Sequence, residues 1–160
     1  MTGGMLAYGL LAALAIALLF AAFTDLRHRV IENWLTLGMA LAAPLFWWAS
    51  GLSPWPGMAL QLGLGLAVFA ALAGLFALGA MGGGDVKLLT ALALWLPLQP
   101  FLKLIVLMAL VGGALTIAVA GWHRIARRPG RVQVPYGVAI AAAGLWVLAG
   151  TYGPAAAFSQ

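Results

Sequence analysis

The sequence predicts an all-α, polytopic integral membrane protein of about six transmembrane helices, and three observations carry that prediction. Hydrophobic residues make up 65% of the 160 residues and charged residues 7%, whereas a water-soluble domain is nearer a quarter charged. Mean hydropathy is +1.09. The apolar residues also fall in blocks separated by Gly, Pro and basic clusters, and a spanning helix needs roughly 20 mostly apolar residues. The length allows one transmembrane domain, 1–160, with no appended soluble module. There is no Cys, which excludes a disulfide framework and a thiolate zinc site.

The first helix is expected from about Met5 to Phe23. It has no basic residue before it and no polar-flanked small-residue cleavage site, so it reads as a retained helix and not a signal peptide. The second runs from about Trp34 to Ser50 and ends at Gly51-Leu52-Ser53-Pro54-Trp55-Pro56, where two prolines interrupt helical bonding. The third runs from about Gly57 to Ala80. The fourth is short, about Val86 to Leu96, and stops at Pro97 and Pro100. The fifth runs from about Phe101 to Gly121. The sixth runs from about Pro135 to Tyr152, with Pro135 suited to a first helical turn. The fourth is too short to span alone, so the Gly82–Asp85 turn or the start of helix four lies below the surface. Non-helical backbone is tolerated there only against protein or a water-filled cavity.

Charge placement sets the orientation. With six spans, loops 24–33, 81–87 and 122–134 share one side. They carry Arg27, Arg29, Lys87, Arg124, Arg127, Arg128 and Arg131, seven of the eight Lys and Arg. Lys103 falls on the other side, near a helix end where it can snorkel. The expectation is that both termini lie outside and that the three loops face the cytoplasm. The net charge of +5 therefore belongs to topology and anionic lipid contact, not to nucleic acid.

The acids are Asp25, Glu32 and Asp85, and no others. All three fall on the basic side, a result reached independently of the charge bias. A carboxylate at membrane depth is costly and marks a functional site by default. Asp25 is expected one or two residues past helix one, and Asp85 at the start of helix four. Two carboxylates brought together cannot both ionise easily, so the pair holds one proton. The charged member can then act as base toward water while the protonated one donates to a carbonyl. The competing reading makes each Asp a helix cap or interfacial anchor, and Asp85 sits where an N-cap would sit.

Gly82, Gly83 and Gly84 leave room beside Asp85 and permit positive φ and close approach of another chain. Lys87 either lowers the Asp85 pKa or contacts a lipid phosphate. Asn33 is placed to cap helix two. His28 and His123 could join Asp25, Glu32 and Asp85 in an oxygen-rich metal site, but no tight ligand spacing supports one. Trp47, Trp48, Trp55 and Trp122 read as interfacial belt residues. Gly112, Gly113 and the small residues of helix three imply close helix packing.

Three strings together resemble the type IV prepilin peptidase family, membrane aspartic proteases with a GxGD motif. Asp25-Leu26-Arg27-His28-Arg29-Val30-Ile31-Glu32-Asn33 resembles the family's D-x-R-x-x-x-I-x-N block. Gly82-Gly83-Gly84-Asp85-Val86-Lys87-Leu88 resembles its GxGDxK block. Val134-Pro135-Tyr136-Gly137-Val138-Ala139-Ile140-Ala141 resembles the P-[YF]-G string opening the last helix. The resemblance covers about residues 5–150.

It implies that Asp25 and Asp85 are the catalytic pair and that Gly82 and Gly84 shape the active-site turn. Arg27, Asn33 and Lys87 become supporting residues, and Pro135, Tyr136 and Gly137 support the last helix. The implied reaction is removal of a prepilin's basic leader at the cytoplasmic face of the inner membrane, usually after a glycine. Implied partners are a prepilin or pseudopilin substrate and membrane lipids, with a homodimer open and no nucleic acid. No cofactor or metal is implied. Long members carry an N-terminal four-cysteine zinc domain linked to N-methylation. This chain is similar to the short form of Flp or tight-adherence pilus systems, so methylation is expected to be absent. Two other functions remain open from the residues: a non-enzymatic scaffold or proton-coupled transport component, and a different GxGD protease such as a preflagellin peptidase.

Overall fold

The computed structural model describes residues 2–125 and 135–153. Of the basic loop, Arg127, Arg128 and Arg131 lie outside the described residues, as does Val134 of the third string and the side chains of His123 and Arg124. Among the described residues the chain is a bundle of six α-helices: α1 (Thr2–His28), α2 (Asn33–Ala49), α3 (Ala59–Ala77), α4 (Gly83–Trp95), α5 (Leu98–Ile125) and α6 (Tyr136–Tyr152). A π-helical turn, Pro54–Met58, leads into α3.

The spans Gly3–His28, Pro54–Ala77 and Leu98–Trp122 are long and apolar enough to cross a membrane. At 17 residues, α2 and α6 are at the lower limit for spanning. With 13 residues, α4 extends only about 20 Å. Large apolar side chains such as Ile16, Leu41, Leu66, Val106 and Trp146 are exposed along the outer faces, as expected where lipid is the solvent.

Helix ends follow local chemistry. Gly51 and Gly79 have φ of 76° and 72°. Each stops its helix in the same way, with paired bonds Gly51 N–H to Trp48 O and Leu52 N–H to Trp47 O, and Gly79 N–H to Phe76 O and Ala80 N–H to Leu75 O. This is the left-handed glycine termination that satisfies the last carbonyls, and it ends α3 three residues before the expected Ala80. Pro100 does not hold α5 back to Phe101, because a first-turn residue needs no N–H donor. Pro135 is the residue before α6, not its first turn.

The shortest helix is the most enclosed. In α4, Val86, Leu88, Leu89, Ala91, Leu92, Ala93 and Trp95 are buried, and the helix packs against α2, α3, α5 and α6. Leu14 and Leu18 of α1, Leu104 of α5 and Ile140 of α6 complete the core. Gly144 of α6 marks the convergence, since a Cβ there would touch Leu18, Leu92 and Leu104.

Polar side chains lock the frame. Trp95 Nε1 donates to Met39 O at 2.8 Å, and Gln61 Nε2 donates to Ala93 O and Leu96 O, both at 2.7 Å. Those carbonyls close the α4 C-terminus, where intrahelical partners run out. Trp47 is not a belt residue: it is buried and donates to Leu94 O at 2.7 Å, because α2 turns that face toward α4. Trp48, Trp55 and Trp122 are exposed, as a belt requires. Gly112 does pack closely, against the Tyr136 ring, whereas Gly113 meets nothing. In α3, Gly65 is the buried glycine, set against Leu94.

Candidate active site

The C-terminal end of α1 and the N-terminal ends of α4 and α6 meet at one end of the bundle. They surround an open cleft of about 520 Å³ lined by Asp25, Arg29, Ile31, Gly82, Gly83, Gly84, Asp85, Lys87 and Tyr136. The two aspartates, 60 positions apart in the chain, thus line one cavity.

Asp25 is inside α1, whose helix continues to His28, and not beyond its end as expected. Nothing in Leu26-Arg27-His28 breaks a helix, and Arg29 turns the chain with φ 57°. Its N–H bonds to Asp25 O at 3.0 Å. The Asp25 side chain is 7% exposed, and its Oδ2 is buried without a hydrogen-bond partner. A buried carboxylate oxygen normally has one, so an unpaired one needs a reason.

Asp85 is the third residue of α4, and the N-cap is Gly82, which supplies no side-chain cap. The capping reading of Asp85 therefore fails. Asp85 also lies outside the segments long enough to span a membrane. Burial, and then the negative charge of Asp25, push its carboxyl up from 3.8 to about 6. The net direction is therefore upward, set by burial and by the like charge.

The glycines act by space and not by φ. Gly82 has φ −73°, and the positive φ nearby belongs to Gly79. A Cβ on Gly82 would sit 3.1 Å from Asp85 Oδ2, one on Gly83 3.3 Å from the Phe76 ring, and one on Gly84 3.2 Å from Ile31 Cβ. Gly137 is tightest, since a Cβ there would lie 2.9 Å from both Cγ and Oδ2 of Asp25 and 2.9 Å from Ile31 Cδ1.

The remaining predicted residues divide. Asn33 does not cap α2. The N-cap is Glu32, with no side-chain bond, and Asn33 Oδ1 accepts from Lys87 Nζ at 2.7 Å, tying the start of α2 to the first turn of α4. Arg27 is outside the cleft, with its guanidinium 5.4 Å from the Phe23 ring centroid. Tyr136 lines the cleft, and its hydroxyl lies 3.4 Å from Thr116 Oγ1 of α5.

Sequence reasoning gave no role to Ile31. It is buried and wedges against Gly84 of α4 and Gly137 of α6. Its signal was the fixed place of Ile in the first string. Gln61 was missed too, although an amide within an apolar span is a signal in itself.

Fold and cleft together define a polytopic helical membrane protein with a paired-carboxylate cavity at one end of its bundle. The model of the type IV leader peptidase family matches residues 12–117, a stretch that holds both aspartates. The chain belongs to that family and is accordingly a membrane peptidase. The string at Pro135–Gly137 lies beyond the matched stretch. No curated protein and no solved structure matches the chain significantly.

Proposed function

We propose that this protein is an aspartic endopeptidase that removes the N-terminal leader of type IV or Flp-type prepilins at the cytoplasmic face of the inner membrane. The reading rests on one observation: Asp25 and Asp85 line the same cleft. Two carboxylates sharing one cavity can divide the roles of base and acid toward a water between them.

In this reading Asp85 is the proton-holding member and Asp25 the base. Water gives its proton to Asp25 as its oxygen bonds to the scissile carbonyl carbon. Asp85 donates its proton to the carbonyl oxygen, giving a neutral diol. The diol collapses, the C–N bond breaks, and the leaving amine takes the proton from Asp25. The recovered carbonyl returns the other proton to Asp85. Gly82 and Gly84 leave space for an extended peptide beside the carboxylates. The substrate's apolar helix remains in the bilayer, and the whole chain acts as one transmembrane peptidase domain. In this reading the new amino terminus is left unmethylated.

The test is co-expression with a Flp-type prepilin, with mass spectrometry of the prepilin N-terminus for wild type, Asp25→Asn and Asp85→Asn. Leader removal is expected from wild type alone, with no added methyl group. Full processing by either variant would return that Asp to a structural role.

A further inference from the structure

The membrane-facing side of α4 carries a second concavity. Helices α2 and α3 each pack along α4 but make little contact with one another. The gap between them has α4 as its floor and a volume of about 320 Å³. Its lining includes Asn33, Leu37, Phe69, Lys87, Thr90 and Ala91. Lys87 lines both this groove and the acid cleft. We infer that the groove is a binding site for one anionic phospholipid, with the headgroup phosphate on Lys87 and an acyl chain between α2 and α3.

Three features select that ligand. The first is charge. Lys87 is exposed, and its recorded partner is the neutral Asn33 amide. An ammonium has three donors, so two remain for phosphate oxygens. The second is the make-up of the groove. Its walls are helices, whose backbone groups bond internally, so the N–H and C=O groups of an extended peptide would stay unpaired at membrane depth. An acyl chain has no such groups to satisfy.

The third feature is Thr90. Its Oγ1 is buried without a partner on the groove floor, three residues from Lys87, which is about 4.5 Å deeper along the helix. That is the side on which a glycerol ester carbonyl lies below a phosphate, and a turn about the Thr90 Cα–Cβ bond would present the hydroxyl to it. The inference does not depend on the peptidase reading, because binding is measured without substrate.

The experiment is native mass spectrometry of the purified full chain, released from nanodiscs of equal phosphatidylglycerol and phosphatidylcholine. Wild type is expected to retain one phosphatidylglycerol in preference to phosphatidylcholine. Lys87→Gln should lower that retention about fivefold, the weight of one Lys at an anionic membrane surface. Lys87→Arg should preserve it, which separates lost charge from lost folding, and Thr90→Val should weaken it. Lys103→Gln, in another groove, should change nothing. Equal retention of the two lipids by wild type, or equal retention by wild type and Lys87→Gln, overturns the proposal. So does a photo-crosslinker at Ala40 that captures a prepilin segment in place of lipid.

Discussion

Replacing Gly137 with Ala tests whether the position of Asp25 matters for chemistry and not only for packing. The new Cβ would lie 2.9 Å from Asp25 Cγ and Oδ2. Ordinary contacts lie at about 3.5–4.0 Å, so the carboxylate must withdraw by about 0.6–1 Å. Ile31 Cδ1 is equally close and blocks one direction, whereas the open cleft of about 520 Å³ accepts the displaced carboxylate. The fold therefore loses little, near the ~1 kcal/mol lower end for overpacking. Catalysis loses more, since misplacing a reacting group by about 1 Å costs on the order of 100-fold, or ~2.7 kcal/mol of barrier. The assay is kcat for prepilin cleavage in detergent, with a thermal melt of the same preparation. Gly82→Ala should fall between this variant and wild type, because its Cβ meets Asp85 Oδ2 at 3.1 Å and a carboxylate can rotate by a few tenths of an ångström. Gly113→Ala, which meets nothing within 4 Å, is the control. Wild-type kcat in a folded Gly137→Ala protein would refute the argument.

Other outcomes follow from the same geometry. In 13C-Asp-labelled protein, NMR titration should give Asp85 a midpoint at about 6. In Asp25→Asn the midpoint should fall only part of the way to the ordinary value, because burial, the larger cause, remains. The raised Asp85 carboxyl stabilises the fold fully below 3.8, and this contribution is lost as pH rises through about 6. On the same basis, prepilin cleavage should decline on the alkaline side as Asp85 loses its proton. Gln61→Leu removes the donor to Ala93 O and Leu96 O and should cost ~1–2 kcal/mol, read as a lower midpoint in detergent-denaturant unfolding. An unchanged midpoint would mean that the α4 terminus needs no cap from α3.

Much of the site was legible in the chain. Asp25 and Asp85 stand out because acids are scarce in an apolar sequence, and loop charge alone put them on one side. The cleft they share agrees with that reading. Less legible was how each neighbour acts. Asn33 looks like a cap from its place after Glu32, yet it bonds to Lys87, a partner supplied only when α2 lies on α4. The glycine run suggested positive φ, but its space goes to Ile31, Phe76 and the Asp85 carboxylate. Local sequence does not show which side chain arrives from another helix.

The sequence by itself determined the membrane class, the helical segments and the two candidate acids. Each of these follows from residues meeting their solvent individually: apolar runs partition into hydrocarbon, and an acid among them is costly enough to stand out. The tertiary structure decided that the shortest helix, α4, is the buried one. It also decided that Trp47 points inward, that Gly137 abuts Asp25, and that α2 and α3 leave a groove over Lys87. The physical reason is rotational. A soluble helix advertises its inner face by an apolar stripe, but a helix apolar on all sides carries no such mark. In this chain, which face meets protein and which meets lipid was set by steric fit and by a few polar bonds between helices.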